Sequence, residues 1–471
     1  SGDTLAALNR GAPVPALAFF GGGVLEDARP FALEQSGSVV RAEKALTNGL
    51  RIVKEFQVHS NHVVAATVRV ENHGNVSVDL PAQEWVIGAA TPMGPYDDGT
   101  YVRVEWYDGG RTVSADRGWF ANRSFFGCFP GSPRLEYQSP GVSNVVWASV
   151  QNQFFTIVAV PQQTAFGLVA RPVDLPAPAD ADQAIDKRLN PKPVGYQTAL
   201  VYAPLAIPPG QALERQVEVF AGPKEYNALA KLGRNVDLVM GFGGFFGWFA
   251  KLLLTSMNGL HGLGLSYGLT IIAITVIIKL LFWPLTQAST RSMKRMQALQ
   301  PQMKALQEKY KGDPKKMNQK LMEFMKENRV SPLGGCLPIL LQIPVFFGFF
   351  QMLRSAIELR GARFLWACDL SQPDTVALIF GFPLNPLPLI MGATQLWQMR
   401  LTPPSPGVDP VQQKMMQYMP LIFVFMLYNF SAGLALYWTV QNLLSILQMK
   451  LTRTAAPAPA ATSAKPAVRG K

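Results

Sequence analysis

A single cation, Lys279, interrupts the otherwise apolar stretch from Leu263 to Trp283. An ammonium placed in hydrocarbon costs about 2.5–3.5 kcal/mol even on insertion scales, so something must compensate it. Thr275 lies one helical turn earlier and would share its face. Gln342, beside Pro344, is a polar group inside a second apolar run, and Tyr437, Trp438, Gln441 and Asn442 stand in a last one. The chemistry open to such a set is electrostatic: a positive charge and hydrogen-bonding groups held at low dielectric, able to draw an acidic group inward. Each residue also has a plainer reading. Lys279 can snorkel, because Trp283 and Pro284 mark an interface about one turn away. Thr275 and Gln342 can make ordinary helix–helix hydrogen bonds, worth about 0.6 kcal/mol each. The residues alone leave both readings open.

Covalent and metal chemistry find less support. Gly264-Leu265-Ser266-Tyr267-Gly268 has the spacing of a nucleophile elbow, but that motif needs a strand before the serine and a histidine base. Here a glycine-rich stretch leads straight into an apolar helix, and His261 is too close in sequence to be the usual partner. His59, His62 and His73 are joined by no cysteine or regular carboxylate spacing. Cys128, Cys336 and Cys368 are far apart and odd in number, so no disulfide framework is indicated. The expectation is no enzyme, no metal and no cofactor.

The elements that must position these groups divide the chain in two. Of 471 residues, 48% are hydrophobic and only 16% charged, and the apolar ones cluster after Val239. Before that point Leu50, Ile52, Phe56 and Val58 alternate with Arg51, Glu55, Gln57 and His59. Val64, Ala66, Val68 and Val70 alternate with Thr67, Arg69 and Glu71, again strand periodicity with one wet face. Turn signals at Asn72-His73-Gly74-Asn75 and Asp108-Gly109-Gly110 favour antiparallel hairpins. The spacing predicts an all-β sandwich over residues 1–225, with a last strand at Val217–Phe220 and a long surface loop from Arg171 to Asn190.

Residues 226–262 read as a linker and an amphipathic helix lying along a membrane–water interface. Apolar runs at 263–283, 337–353, 384–401, 415–430 and 434–449 predict an α-helical core of five spans within residues 263–453. Ser431-Ala432-Gly433 makes a tight turn between the last two. The Ala- and Pro-rich tail, 454–471, is expected to be disordered. Ser1–Arg10 lacks a signal pattern, so an anchoring span is expected to precede Ser1.

Charge sets the orientation. Between the first two spans Arg291, Lys294, Arg295, Lys304, Lys309, Lys311, Lys315, Lys316, Lys320, Lys326 and Arg329 outweigh Glu308, Asp313, Glu323 and Glu327, which places that loop in the cytoplasm. Arg400, Lys414, Lys450 and Arg453 mark the same side. The loop with Glu358, Arg360, Arg363, Asp369 and Asp374 is balanced, as an outer loop should be. The net charge of +12 is thereby assigned to topology and anionic lipid rather than to a specific nucleic acid. Within the cytoplasmic loop, 287–330, Met293, Met296, Leu299, Met303, Leu306 and Tyr310, then Met317, Leu321 and Phe324, recur mostly at three and four, which predicts a helical hairpin. Lys311-Gly312 turns it, Asp313 caps its second helix and Pro314 takes the first helical position. Met293, Met296 and Met303 either pack the hairpin seam or offer varied apolar clients a pliable surface.

The series Pro284-Leu285-Thr286, Leu299-Gln300-Pro301, Ser331-Pro332-Leu333-Gly334-Gly335-Cys336-Leu337-Pro338, Leu341-Gln342-Ile343-Pro344, Glu358-Leu359-Arg360, Asp369-Leu370-Ser371 and Gly433-Leu434-Ala435-Leu436-Tyr437-Trp438 resembles the YidC membrane insertase family. Trp147, Gln153-Phe154-Phe155 and Gly222-Pro223-Lys224 are similar to that family's Gram-negative periplasmic domain. The resemblance implies a supersandwich-like β domain in the periplasm, a multi-pass core in the bacterial inner membrane and a cytoplasmic carboxyl end. It implies an insertase and chaperone for nascent membrane proteins, with the ribosome, a Sec translocon and membrane lipids as partners. Lys279, where relatives usually carry arginine, would face a hydrophilic groove open to cytoplasm and lipid. Thr275, Gln342, Tyr437 and Gln441 would line it, and Trp438, where relatives often carry tyrosine, would touch clients. Lysine keeps the charge and loses the bidentate fork. The rival is a small-solute transporter with an extracytoplasmic binding domain, since intramembrane charge and proline-broken spans occur there too. Five spans without a visible inverted repeat count against it.

Overall fold

A computed structural model describes residues 8–9, 11–27, 29–94, 96–122, 131–179, 189–242, 246–328, 337–401, 415, 422 and 424–451. The chain falls into two compact units, Ser1–Gly243 and Gly244–Lys471. The first is β-rich and the second helical, as the two periodicities imply.

In the first unit a nine-stranded antiparallel sheet runs, in spatial order, Ala32–Ser36, Val39–Ala45, Leu50–Val58, Val63–Asn72, Ala212–Pro223, Phe155–Pro161, Trp147–Gln151, Arg103–Tyr107 and Thr112–Asp116. A five-stranded antiparallel sheet is built from Phe19–Phe20, Gln83–Ala90, Val194–Tyr202, Gly167–Asp174 and Tyr137–Gln138. Alternation makes the sandwich: Ile52, Ala66, Val68 and Val70 from the larger sheet meet Trp85, Ile87, Leu168 and Leu200 from the smaller in one buried core. The last strand, Ala212–Pro223, is longer than the Val217–Phe220 expected and pairs with Val63–Asn72 on one side and Phe155–Pro161 on the other.

Two expectations for this unit are corrected. Arg171–Asp174 is not loop but the end of the strand Gly167–Asp174. The Arg171 guanidinium reaches Glu84 at 2.7 Å and Glu136 at 2.6 Å, and this bracing holds the strand despite Pro172. Residues 180–188 of the expected loop lie outside the described residues. The stretch after residue 225 is not a free linker either. After α1 (Arg117–Ala121), helix α2 (Tyr226–Lys231) and a 3₁₀ turn, Val236–Met240, bury Leu229, Val236, Val239 and Met240. The Trp147 indole donates to the Arg234 carbonyl at 3.2 Å, Asn235 Nδ2 to the Tyr107 hydroxyl at 3.1 Å, and Arg234 Nη1 to the Pro161 carbonyl at 2.6 Å. The segment is a cover for the β unit.

The second unit contains α3 (Gly247–Gly262), α4 (Tyr267–Leu281), α5 (Trp283–Ala298), α6 (Gln300–Lys309), α7 (Pro314–Glu327), α8 (Leu337–Ser355), α9 (Pro386–Leu401) and α10 (Ala432–Leu451). A short antiparallel ribbon, Ala377–Ile379 with Phe382–Leu384, precedes α9. Helix α3 buries Ala250, Leu253, Leu254 and Met257 and exposes Trp248 and Leu252. Its approach to α8 needs glycine: a Cβ on Gly348 would lie 2.4 Å from Phe249 Cδ1.

The apolar run 263–283 is not one helix. Ser266 caps α4, its hydroxyl accepting from Leu269 N, and α4 ends at Leu281. Helix α5 departs from it at 61°. Pro284 lacks the N–H that would bond the preceding turn, so Pro284-Leu285-Thr286 opens α5 instead of closing a span. The expected run 384–401 likewise begins in the ribbon, with α9 starting at Pro386. Among the described residues no single helix is long and apolar enough to cross a membrane, and the bent pair Tyr267–Leu281 plus Trp283–Ser292 meets that test only together. Residues 416–421 and 423, and all of 331–336 and 454–471, lie outside the described residues.

Helices α6 and α7 pack against each other. Met296, Met303 and Leu321 are buried with Leu306, Met317, Phe324 and Met325 around them. Asp313 accepts from Lys316 N at 3.1 Å and Pro314 opens α7. At the other end of the unit, the first amides of α10 are satisfied by loop carbonyls, Ala432 N donating to Gln372 O at 2.7 Å and Gly433 N to Leu370 O at 2.9 Å.

Candidate functional site

Lys279 sits in the last turn of α4 and is only 7% exposed. Snorkelling would leave its ammonium at the surface. Instead Nζ donates to Ser445 Oγ on α10 at 2.8 Å. Ser445 in turn donates to the Gln441 carbonyl of its own helix at 2.8 Å. Gln441 Nε2 donates to Gln342 Oε1 on α8 at 2.7 Å, and Gln342 Nε2 donates to the Tyr437 hydroxyl at 2.7 Å. The Tyr437 ring is buried and stacks on Phe349 with centroids 4.1 Å apart. Further along α10, Gln448 Nε2 donates to Thr286 Oγ1 at 2.6 Å. Tyr437, Gln441, Ser445 and Gln448 therefore form one stripe on α10, facing α4, α5 and α8.

The structure brings four of the expected site residues into this chain, namely Lys279, Gln342, Tyr437 and Gln441. Thr275 is buried on the α4 side, but its hydroxyl donates back to the Ile271 carbonyl at 2.6 Å. Trp438 turns to a different face. Its indole donates to Gln395 Oε1 on α9 at 3.1 Å, and its ring meets Phe346 edge-on at 4.9 Å. Asn442 also faces α9, donating to Thr394 Oγ1 at 3.2 Å. Met296 and Met303 are buried in the hairpin seam, and the Met293 side chain lies outside the described residues. Ser445, Gln448 and Thr286 went unselected from sequence. The signal for Ser445 and Gln448 was the spacing of four, four and three that continues from Tyr437 through Gln441.

Among the described residues no carboxylate forms a salt bridge with Lys279, whose recorded partner is a neutral hydroxyl. The arrangement therefore offers a largely desolvated positive charge beside amides and hydroxyls. It offers no nucleophile pair. The Ser266 hydroxyl is engaged as a helix cap, while His261 Nδ1 lies 2.8 Å from the Leu265 carbonyl and its ring stacks on Tyr267. Cys368 is exposed and free, whereas Cys128 and Cys336 lie outside the described residues.

The β unit holds a second buried charge cluster. Glu105 accepts from Gln151 Nε2 at 2.6 Å and lies 3.3 Å from Arg103 Nη2. Lys224, 4% exposed, donates to Gln151 Oε1 at 3.2 Å. Burial pushes the Glu105 carboxyl above the usual carboxylate range, with Arg103, the Gln151 hydrogen bond and Lys224 pulling it back.

Fold and site together define a protein in two parts, an antiparallel β sandwich followed along the chain by an apolar helical unit with a cation and amides in its interior. Residues 26–256 match the YidC periplasmic domain, and residues 259–458 match the 60Kd inner membrane protein family. The chain belongs to the YidC family, an inner-membrane family with a periplasmic domain. The membrane protein insertase YidC of Syntrophus aciditrophicus is 40% identical over 307 residues, which are 65% of this chain and 51% of that protein. The one from Cupriavidus taiwanensis is 35% identical over 423 residues, covering 88% and 67%. A solved structure described as an active YidC insertase with its first transmembrane domain resolved covers 93% of this chain and 82% of its own, at 18% identity and a TM-score of 0.36. The chain spans about half the length of the first curated relatives it matches.

Proposed function

We propose that the chain is a membrane protein insertase and chaperone, which receives a nascent apolar segment and passes it sideways into the lipid without making or breaking a bond. The observation that carries this reading is Lys279: buried, tied to a neutral hydroxyl and lacking a described carboxylate. A cation so placed is electrostatically unfinished, and the acidic tail of a client finishes it. Gln342, Gln441 and Ser445 hydrate the tail in place of water, while the client's apolar residues leave for lipid with about 25 cal/mol gained per Å².

In this reading α4 with the start of α5, α8, α9, residues 415–430 and α10 serve as five spans. The β unit is periplasmic, and the α6–α7 hairpin and the carboxyl end are cytoplasmic. The charge asymmetry supports it, and so do Ile277, Leu280, Leu281, Phe347, Leu443 and Leu447, which stand exposed on their helices and need a non-aqueous surrounding. Helices shorter than the hydrocarbon thickness require the bilayer to thin around them. The basic hairpin and tail suit a ribosome, and a Sec translocon is a natural neighbour. Met293, Met296 and Met303 meet clients when the hairpin seam opens.

The test is insertion of an acidic-tailed client into vesicles holding the whole chain. Lys279→Glu is expected to abolish insertion and Lys279→Arg to retain it. A client whose tail carboxylates are replaced by amides should lose its dependence on residue 279. Full activity of Lys279→Glu would remove the charge-attraction step.

A further inference from the structure

We propose that the ribbon between α8 and α9 is a lipid-dipping tongue, whose tip seats in the outer leaflet at the level of the headgroup–hydrocarbon boundary. The proposal rests on the membrane-spanning reading of the helical unit. Residues 376–384 run Val-Ala-Leu-Ile-Phe-Gly-Phe-Pro-Leu, with no charged or polar side chain. Ala377–Ile379 pairs with Phe382–Leu384, Ile379 lying opposite Phe382. Phe380 and Gly381 make the turn with φ of 49° and 81°, the pairing of positive angles that a two-residue hairpin loop requires. Bulky side chains rarely adopt that backbone, yet a phenylalanine occupies it and is fully exposed, at 106%. Val376, Leu378, Ile379 and Phe382 are exposed too, and since neighbours along a strand point to opposite faces, both faces of the ribbon are apolar.

The root is built in the opposite way. Buried Asp374 accepts from the Trp366 indole at 2.9 Å and from Leu387 N at 2.7 Å. Asn385, with no exposed surface, donates to the Tyr428 carbonyl at 2.9 Å, and the Tyr428 hydroxyl donates to the Pro383 carbonyl at 2.7 Å. Both ends of the ribbon are thus bolted while the tip stands clear. A two-stranded ribbon is marginal in water by itself, so an apolar one held outward on a fixed base needs an apolar neighbour.

Lipid fits that need. The ribbon leads directly into α9, so it lies at the height of a membrane surface. Its cross-strand bonds satisfy the inner backbone groups, but a two-stranded ribbon keeps two open edges. Water and headgroups can bond those edges and hydrocarbon cannot, which limits the depth to the interface. Aromatic side chains favour that depth.

The experiment uses the whole chain with Cys128→Ser, Cys336→Ser and Cys368→Ser, reconstituted in vesicles of phosphatidylethanolamine and phosphatidylglycerol. A nitroxide is attached at Phe380→Cys, at Leu447→Cys on α10, or at Gln57→Cys in the β unit. Power saturation then compares collisions with oxygen, which concentrates in hydrocarbon, and with a nickel chelate, which stays in water. The expected ratio of oxygen to nickel collisions at position 380 is several-fold above that at 57. A ratio at 380 equal to that at 57 overturns the proposal. Shielding of 380 from both reagents places the tip against protein and also overturns it. A lipid-like 447 with a water-like 380 defeats the tongue alone, whereas a water-like 447 defeats the spanning reading and the tongue with it.

Discussion

Among the described residues three lysines are buried, Lys44 and Lys224 in the β unit and Lys279 in the helical unit, and the last two are solved differently. Lys224 belongs to a closed circuit: Gln151 links it to Glu105, and Arg103 lies 3.3 Å from the same carboxylate oxygen. Lys279 has a hydroxyl and no described acid. The β unit keeps both signs of charge in its own structure, where they hold the cover segment Tyr226–Met240 over the sheet, Arg103 reaching toward the Val239 carbonyl at 3.4 Å. Around Lys279 the helical unit shows no carboxylate in salt-bridge contact among the described residues. A buried charge that is matched internally serves architecture, and under the proposed function the one left unmatched awaits a client's acid.

The comparison is tested most severely by removing one side of the closed circuit. Lys224→Met leaves Glu105 buried with less compensation, and the loss should be about 3 kcal/mol, the low end for breaking a buried pair because Arg103 remains. For a unit of this size that lowers its melting temperature by roughly 6–12 °C, read by thermal unfolding of the whole chain in detergent. The double variant Lys224→Met with Glu105→Gln should recover most of the loss. If the single variant melts with the wild type, the circuit is not structural.

The reverse manipulation closes the open circuit. Ser445→Asp puts a carboxylate where Lys279 now meets a hydroxyl, giving the helical unit the internal match that the β unit has. Insertion of an acidic-tailed client should fall about tenfold, equivalent to 1.4 kcal/mol, because the cation is already satisfied. Ser445→Asn, similar in size and neutral, should insert near the wild-type rate. Equal activity in the two variants would mean that vacancy beside Lys279 is not what the client uses.

How much of this was legible depended on whether one face of an element tells its own story. Val64 to Val70 alternates cleanly and its inner face is core, so the strand was readable. Lys279 was readable because it is the only charge in its run. Arg103 and Glu105 alternate with Val104 and Trp106, which reads as an ordinary wet face. That face is dry because α2 and the turn after it fold back over the sheet, a non-local event with no local signature, and the same event defeats the linker expectation. Ser445 was missed for another reason. A serine in a leucine-rich helix carries little signal until its partner across the interface is known, and only the continued spacing from Tyr437 marks it. The bend at Phe282 was overlooked because apolarity continues through it while Pro284 quietly removes a backbone donor.

A smaller effect separates the two clusters by pH. The folded-state pKa of Glu105 is raised by burial. The sign follows: its contribution to stability is fully present below the unfolded carboxylate value, about 4.3, and is lost as pH rises through the higher folded value. Glu105→Gln should abolish that pH dependence and be at least as stable as the wild type above the window. Hydrogen exchange along Arg103–Tyr107, followed against pH, reads it directly, and an unchanged pH slope in the variant would assign the dependence to another group.

The smallest change probes the amide pair that links α8 to α10. Gln441→Leu deletes the donor to Gln342 while leaving the bond between Gln342 and Tyr437 in place. Interhelical hydrogen bonds in membrane proteins average about 0.6 kcal/mol, because the separated helices find other partners. If the pair only packs the helices, insertion should shift by no more than about threefold and the melting temperature by a degree or two. If instead the amides stand in for water around a client's tail, the loss should be selective: larger for a client with a long polar tail than for one with a short tail, with the same melting temperature in both assays. Equal, small losses for the two clients would confine the unmatched chemistry of this unit to Lys279 and its immediate hydroxyl.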